Sequence, residues 1–132
     1  MKIAKTHIIL FVQDQQISKD FYQTVLATEP TLHVEGMTEF NIGNKIVIGL
    51  MPKNGIAKII SPERVFSDKI ISTCELYLYV ENVTDEYNRI LKLNINCISK
   101  LQHRDWGDTA FYFSDPDGHI IAIAQKIKPI DC

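Results

Sequence analysis

The sequence is poor in cysteine and has no pattern in which its thiols could act together. Cys74, Cys97 and Cys132 are odd in number, lie far apart and form no Cys-x-x-Cys spacing. A disulfide framework needs paired cysteines and a thiolate zinc site needs closely spaced ones, so neither is expected. We expect three ordinary thiols, buried or at the surface.

Charge of one sign and long apolar runs are also missing. The chain carries 14 Lys and Arg residues against 16 Asp and Glu residues, and no five like charges follow one another. Nucleic acid and anionic membranes are therefore poor candidates as partners. The apolar stretch 8–12 is too short for a signal-peptide core or a membrane span, so we expect a cytoplasmic protein.

The composition is that of a folded globular domain. Of the 132 residues, 45% are hydrophobic and 23% are charged, which is far from the balance of disordered chains. A chain of this length can bury one substantial core. We expect a single domain over residues 1–132.

A strand followed by a helix occurs twice along the chain. Residues 6–12 are rich in β-forming side chains, and Asp14 is placed to cap a helix whose apolar positions are Ile17, Phe21, Val25 and Leu26. Residues 73–80 repeat the strand, and the helical spacing returns at Val83, Tyr87, Ile90 and Leu91. A shift of 68 positions places His7 on Glu75 and Val12 on Val80.

Each copy continues with a β-hairpin. Residues 38–51 align with residues 111–124 at a shift of 73, and turn-forming residues lie at 42–44 and 115–118. Shorter strands are predicted around 31–35 and 97–101. The sequence therefore predicts an α+β fold of two βαβββ repeats, about 4–52 and 73–127, forming a curved mixed sheet around a cleft.

The segment 53–72 between the repeats has no clear periodicity. It is longer than most connections inside a compact domain, and it contains several apolar residues. It is either a plain linker or a flap lying on the cleft. The apolar side chains favour the flap.

Strand alternation selects two candidate catalytic residues. His7 and Glu75 occupy equivalent positions in the two repeats, on the strand faces predicted to line the cleft. An imidazole and a carboxylate that converge there could act as an acid–base pair or as metal ligands. The alternatives are an exposed or hydrogen-bonded structural His7 and a Glu75 paired for structural reasons.

Further residues are candidates for ligand contact. Arg104 and Trp106 precede a strand, where a cation and a flat ring could grip an anionic or aromatic molecule. The alternatives are a surface salt bridge and a half-buried ring that stabilises the loop. Tyr77, Phe111 and Phe113 complete the predicted ligand contacts, and Tyr79 is expected to line the same pocket.

These features together resemble a known family. The paired βαβββ register, the Arg-Asp-Trp-Gly segment at 104–107 and the Asp-Pro-Asp-Gly turn at 115–118 are similar to the glyoxalase/bleomycin resistance/dioxygenase family of the vicinal oxygen chelate superfamily. The resemblance covers residues 4–127. It implies the same paired-repeat fold and a small-molecule ligand, and it implies a homodimer.

The resemblance also implies where a metal ion would bind. In metal-dependent members the ligands come from the first and last strand of each repeat, positions that correspond here to His7, Gly49, Glu75 and Ala122. Gly49 and Ala122 have no donor atom, so a divalent ion such as Mn, Ni, Fe or Zn would be held by two protein ligands only. We expect no metal cofactor, although His103 or His119 could act as replacement donors.

Three functions follow from these considerations. The first is a metal-free protein that binds or sequesters a small aromatic or anionic ligand. The second is a metal-dependent lyase or isomerase of the lactoylglutathione lyase type, which needs the missing donors. The third is a metal-free acid–base enzyme that uses His7 and Glu75, with Arg104 stabilising an enolate. A dioxygenase is least favoured because Ala122 replaces the glutamate that its iron site requires.

Overall fold

The computed structural model describes residues 1–60, 62–66 and 74–128. The chain divides into two compact units, Met1–Ile70 and Ile71–Cys132. Each unit contains a four-stranded mixed sheet with one long helix packed against it. The predicted α+β fold of two βαβββ repeats is therefore confirmed.

The first unit follows the predicted order of elements. Its elements are β1 (Thr6–Val12), α1 (Gln15–Leu26), β2 (Leu32–Val34), β3 (Met37–Gly43), β4 (Ile46–Pro52) and the short helix α2 (Lys53–Ile56). The strands lie in the order β1-β4-β3-β2, with β1 parallel to β4 and the other pairs antiparallel. The chain between the parallel strands β1 and β4 therefore contains helix α1 and strands β2 and β3.

The second unit repeats this arrangement. Its elements are β5 (Glu75–Tyr79), α3 (Val83–Leu91), β6 (Cys97–His103), β7 (Asp108–Ser114) and β8 (Ile120–Lys126). The strand order is β5-β8-β7-β6, and β5 is parallel to β8. The two parallel ladders share one register, because Ile9 pairs with Gly49 as Tyr77 pairs with Ala122.

Both long helices begin at a capped residue. The Asp14 carboxylate accepts from the Ile17 N–H at 2.9 Å, as predicted, and Asn82 accepts from the Asp85 N–H at 3.1 Å. These bonds satisfy backbone donors that have no partner within the helix. At the other end of α1, Ala27 adopts a left-handed conformation with φ 51° and stops the helix.

The buried face of α1 differs from the predicted one. The sequence spacing favours Ile17, Phe21, Val25 and Leu26. Val25 is buried as predicted, but Ile17 is 56% exposed, and the other buried residues of the helix are Ser18 and Tyr22. Phe21 and Tyr22 are adjacent and their rings meet edge to face at 5.1 Å. Either ring could have faced the sheet, so the periodicity alone does not select between them.

Each unit has its own apolar core between the long helix and one sheet face. In the first unit the largest fully buried side chains on this face are Phe40, Ile48 and Leu50. In the second unit the core contains Phe111, Phe113 and Ile121. Each such side chain contributes about 1.5–3 kcal/mol through removal of apolar surface from water.

The described residues of the segment between the repeats include two short helical elements. Helix α2 follows β4 directly and contacts both β4 and β1, and a single 3₁₀ turn covers Pro62–Arg64. Val65 is buried, whereas Ile59 and Phe66 are exposed. Residues 61 and 67–73 lie outside the described residues, so the flap stays a prediction.

Two further expectations concern cysteine and the membrane. Cys74 and Cys97 are free, exposed thiols, and Cys132 lies outside the described residues. No helix within the described part of the chain has the length and the apolar character needed to cross a membrane.

Candidate functional site

The sheet face opposite α3 carries the densest group of polar and aromatic side chains in the second unit. Alternation along β5 places Tyr77 and Tyr79 on this face, and the strand pairing places Asp108 and Tyr112 of β7 on it as well. Between them run three buried alanines, Ala110, Ala122 and Ala124. The small alanine side chains leave space above the sheet for the large rings.

Asp108 is the centre of this group. The hydroxyl groups of Tyr77 and Tyr79 both donate to its Oδ2, each at 2.7 Å. Trp106 donates from its indole Nε1 to the Tyr77 oxygen at 2.8 Å. We call these four residues the tyrosine patch: Tyr77, Tyr79, Trp106 and Asp108.

The tyrosine patch determines which of its groups are charged. Asp108 is only 2% exposed, but the hydrogen bonds from Tyr77 and Tyr79 hold the pKa of its carboxyl below the usual value. Burial raises the pKa of Tyr77 to about 12, and the neighbouring Asp108 contributes to the shift. The hydrogen bond to Asp108 also raises the pKa of Tyr79. Near neutral pH the phenols are therefore protonated donors around an ionised carboxylate.

Two cations lie on aromatic rings beside the patch. The Arg104 guanidinium lies 5.1 Å from the centre of the Tyr112 ring, and the Lys126 amine lies 5.2 Å from the centre of the Tyr79 ring. Such contacts are attractive because the face of an aromatic ring is electronegative. Burial and the charge of Glu75 raise the pKa of Tyr112.

Arg104 is held by the protein itself. Its Nε and Nη2 donate to the Ala110 carbonyl at 3.2 and 2.9 Å, and Nη2 also donates to the Lys100 carbonyl at 2.9 Å and to the Ser99 hydroxyl at 3.0 Å. These bonds fasten the end of β6 to β7. Nε and Nη2 are thus engaged with the protein, and contact of Arg104 with an anionic ligand stays a prediction.

Trp106 projects from the tight turn between β6 and β7. Its side chain is 58% exposed although its indole N–H is bonded to Tyr77. The next residue, Gly107, has φ +91°, a backbone conformation that side chains disfavour. The turn therefore leaves more than half of the indole side chain exposed while its N–H is bonded to Tyr77.

Phe111 and Phe113 lie on the other side of the sheet. Both are fully buried, and Phe111 packs edge to face on Tyr87 of α3 at 4.9 Å. A ligand could reach them only by displacing the helix. They belong to the core, and we leave them out of the candidate site.

His7 and Glu75 occupy the predicted equivalent positions, near the start of β1 and β5. Glu75 is exposed. His7 has a partner in its own unit, because its Nδ1 lies 3.3 Å from Oε2 of Glu39 on β3. The structure therefore adds Glu39 to the candidate residues.

Two of the four positions of the implied metal site, Gly49 and Ala122, carry no donor side chain. A Cβ at Gly49 would lie 3.3 Å from Sδ of Met37 and 3.4 Å from Cγ1 of Ile9, so neighbouring side chains already close over this position. Ala122 is fully buried, and its strand neighbours on the two sides are Tyr77 and Tyr112. Neither position provides a donor atom.

Another group of possible metal ligands lies at the turn between β7 and β8. Ligand atoms of Asp115, Asp117 and His119 lie within 4.8 Å of one another. The buried Asp115 carboxylate accepts from the N–H groups of Asp117 and His119 at 2.9 and 2.8 Å, and from His119 Nδ1 at 2.6 Å. These bonds close the turn, which accounts for the Asp-Pro-Asp-Gly-His sequence without an ion.

Two surface depressions lie in the first unit. One of about 590 Å³ follows α1 and is lined by Lys19, Asp20, Gln23, Thr24, Ala27, Thr28 and Glu29. The other, of about 210 Å³, is lined by Gln15, Gln16, His33, Val34 and Glu35. Neither depression includes a residue of the tyrosine patch or the His7–Glu39 pair. The volume of a depression therefore does not identify the candidate site.

Sequence reasoning missed Asp108 and Glu39. A signal existed for Asp108, because an aspartate is unusual within a strand of large residues. Alternation also places it on the same strand face as Ala110 and Tyr112. No comparable signal existed for Glu39, whose importance depends on a contact across an intervening strand.

Comparisons with known proteins identify the family of the chain. A family model described as a glyoxalase-like domain matches residues 5–128. The chain belongs to this family. No curated protein matches this glyoxalase-like chain.

Solved structures share the glyoxalase-like fold. A glyoxalase/bleomycin resistance protein/dioxygenase from Nocardioides is 18% identical with a TM-score of 0.81, covering 100% of this chain and 91% of the other. A glyoxalase-related enzyme from Fulvimarina pelagi is 19% identical with a TM-score of 0.79, covering 100% and 94%. A protein of unknown function from Agrobacterium tumefaciens is 24% identical with a TM-score of 0.73, covering 96% and 95%. At these identities the likeness establishes the fold alone.

Proposed function

We propose that this glyoxalase-like protein binds a small aromatic molecule at the tyrosine patch, without a metal ion. The observation that carries the proposal is an exposed indole ring held in place by a bond to Tyr77, beside two phenols that share Asp108. Fixed rings lose little conformational freedom when a flat ligand stacks on them.

The polar groups of the patch favour a neutral aromatic ligand over an anionic one. Asp108 is ionised, and the guanidinium of Arg104 is mostly engaged with the protein. The phenol oxygens of Tyr77 and Tyr79 keep lone pairs that can accept from a hydroxyl or amine on the ligand. A carboxylate or phosphate would meet the negative charge of Asp108 instead.

A metal-dependent lyase of the lactoylglutathione lyase type is less well supported. Gly49 and Ala122 contribute no donor, and the space at Gly49 is closed by Met37 and Ile9. The same argument weakens a dioxygenase. A cytoplasmic location and a homodimer are further proposals, and light scattering on the purified protein tests the dimer.

Binding can be followed directly because Trp106 is the single tryptophan of the chain. Native mass spectrometry of protein purified without added metal should detect an organic adduct, and 2-naphthol should change the Trp106 fluorescence in a saturable way. The charged analogue 2-naphthoate should bind more weakly. Addition of a chelator should leave both results unchanged.

Substitutions in the patch test the assignment. Tyr77→Phe keeps the ring and removes the hydroxyl, so 2-naphthol affinity should fall about 2- to 10-fold, the value of one hydrogen bond. Tyr87→Phe is the matched control, because this ring packs on the opposite sheet face. Equal affinities in the two variants, or one divalent ion per chain in metal analysis, would contradict the proposal.

A further inference from the structure

The smaller depression of the first unit lies where the start of α1 meets the tip of the β2–β3 hairpin. It has a volume of about 210 Å³, and its lining residues are Gln15, Gln16, His33, Val34 and Glu35. Roughly seven water molecules occupy this volume in the liquid, so a ligand that fits must be small. Val34 is an exposed apolar side chain among four polar ones. The depression therefore offers mainly hydrogen-bonding groups.

Gln15 fixes the tip of the hairpin, and its orientation is determined by the backbone. Its Oε1 accepts from the Gly36 N–H at 3.0 Å, and its Nε2 donates to the Val34 carbonyl at 2.7 Å. A backbone N–H only donates and a carbonyl only accepts, so these partners establish which end of the side-chain amide is which. The same Nε2 donates to the Thr38 hydroxyl at 2.9 Å. Thr38 is therefore an acceptor toward Gln15.

The Thr38 hydroxyl in turn determines how His33 can act. Thr38 is fully buried, and its oxygen lies 2.7 Å from Nδ1 of His33. A buried hydroxyl that does not donate loses a hydrogen bond without compensation from water, so we expect Thr38 to donate to Nδ1. The neutral ring then carries its hydrogen on Nε2, the nitrogen that does not face Thr38. His33 therefore offers the depression a hydrogen-bond donor.

Two further side chains of the depression offer acceptors. Nε2 of Gln16 donates to Oδ1 of Asp20 at 3.0 Å, and because a carboxylate only accepts, this bond identifies the other end of the Gln16 amide as its oxygen. Glu35 is exposed and contributes a carboxylate. A ligand that satisfies this set needs one acceptor for His33 and at least one N–H donor for Gln16 or Glu35.

We propose that this depression binds small neutral molecules that carry a carboxamide group. The amide carbonyl accepts from Nε2 of His33, the amide N–H donates to Gln16 or Glu35, and the apolar part of the ligand lies against Val34. A carboxylate would provide no donor and would meet the charge of Glu35. An amidinium would provide donors alone and leave the His33 N–H without an acceptor. The proposal is independent of the tyrosine patch, which lies in the other unit.

Three ligands of one shape test the proposal on the unaltered protein. Isobutyramide, isobutyrate and isobutyramidinium share their apolar group and differ in their hydrogen-bonding atoms. In NMR titrations isobutyramide should shift the side-chain signals of Gln15, Gln16 and His33 in a saturable way. The other two should bind about 2- to 10-fold more weakly, which corresponds to the loss of one hydrogen bond. Equal affinity for the three ligands, or no shift of these signals, would overturn the proposal.

Substitutions at the lining residues test direct contact with the ligand. Gln16→Met removes an acceptor at an exposed position and should weaken isobutyramide binding several-fold. Gln23→Met, two turns further along α1, is the matched control and should bind as the unaltered protein does. His33→Phe should abolish the titration, and circular dichroism checks that each variant is folded. Retained binding in His33→Phe, or an equal loss in the two methionine variants, would contradict the assignment.

Thr38 is a positioning residue, and its role has a spectroscopic signature. Nitrogen NMR of the neutral His33 ring at alkaline pH should show hydrogen on Nε2 and an accepted hydrogen bond at Nδ1. Thr38→Val keeps the shape and removes the hydroxyl, so the Nδ1 signal should lose the shift that this bond causes. Hydrogen on Nδ1 in the unaltered protein would overturn the proposal.

The tyrosine patch and this depression are tested separately. Tyr77→Phe should leave isobutyramide binding unchanged, because the altered hydroxyl lies in the second unit. Loss of the isobutyramide titration in Tyr77→Phe would show that the amide binds elsewhere. A failure of 2-naphthol binding at the patch would leave the amide result standing.

Discussion

Asp108 shows how one residue can organise a surface. A carboxylate with so little exposure needs partners, and here two phenols provide them while a lysine lies on one of the rings. Its removal would leave two hydroxyl groups without their acceptor. The Trp106 indole would lose its indirect support through Tyr77.

Asp108→Asn should alter the response of the protein to acid. The pKa of Asp108 is lower in the folded chain than in the unfolded one, so its stabilising contribution is present above about pH 4 and is lost as the pH falls through the folded value. The variant should be less stable at pH 7 and should lose less stability on acidification. Urea unfolding at pH 7 and pH 3 measures both effects, and identical pH profiles would contradict them.

A corresponding prediction concerns the stabilising contribution of Tyr77 at alkaline pH. Its pKa of about 12 exceeds the ordinary value of 10.0, so its stabilising contribution is present below pH 10 and is lost between pH 10 and 12. The pKa values of Tyr79 and Tyr112 are raised as well, so phenolate absorbance should show several late-titrating tyrosines, and Tyr77→Phe should remove one of them. In Asp108→Asn this titration should move to lower pH, because the adjacent charge is gone.

At the scale of elements, the side chains of β7 alternate between the candidate site and the core beneath α3. Tyr112 and Asp108 face the candidate site, while Phe111 and Phe113 face α3. The composition of the strand does not reveal this division, since aromatic rings occur on both faces. Pairing with β8 decides which face is which.

Phe111→Ala should therefore damage the fold and not the binding surface. Loss of this fully buried ring should reduce the free energy of unfolding by about 3–5 kcal/mol. Phe66→Ala, the same change at an exposed ring, should alter it by less than about 0.5 kcal/mol. Chemical denaturation compares the two, and a small effect at Phe111 would return this ring to the list of ligand contacts.

At the scale of the whole molecule, the repeat has kept its backbone while its polar positions have diverged. His7 and Glu75 occupy one equivalent pair of positions, and Gly49 and Ala122 occupy another. The first unit pairs its histidine with a carboxylate from β3. The second unit collects aromatic hydroxyls around Asp108. A shared fold therefore carries two different kinds of polar centre.

The metal-free proposal predicts how the whole protein responds to chelation. An ion bound to the native state would raise the thermal midpoint, and its removal would lower it. Dialysis against a chelator should leave the midpoint unchanged. Asp115→Asn is the informative companion, because it should lower the midpoint by loosening the turn, equally with and without chelator. A midpoint that falls on chelation would indicate a bound ion.

The sequence alone determined the two βαβββ units, the correspondence between their positions and the start of α1. These features depend on local patterns, namely alternation, helical spacing and a capping aspartate, which act between residues close along the chain. The same reasoning named Tyr77, Trp106 and His7 as candidates and recognised that Gly49 and Ala122 lack donor atoms. Phe111 and Phe113 of β7 were predicted to contact the ligand, but both are fully buried, and Phe111 packs on Tyr87 of α3.

Only the tertiary structure decided which side chains meet. Tyr77 and Asp108 are 31 positions apart, and His7 reaches Glu39 over a strand that the sequence does not mark as lying between them. Such contacts depend on strand order and strand pairing, which arise from packing of the whole unit. The chemistry of each candidate site is therefore a property of the folded sheet, because a hydrogen bond needs its atoms within about 3 Å and local sequence carries no such distance.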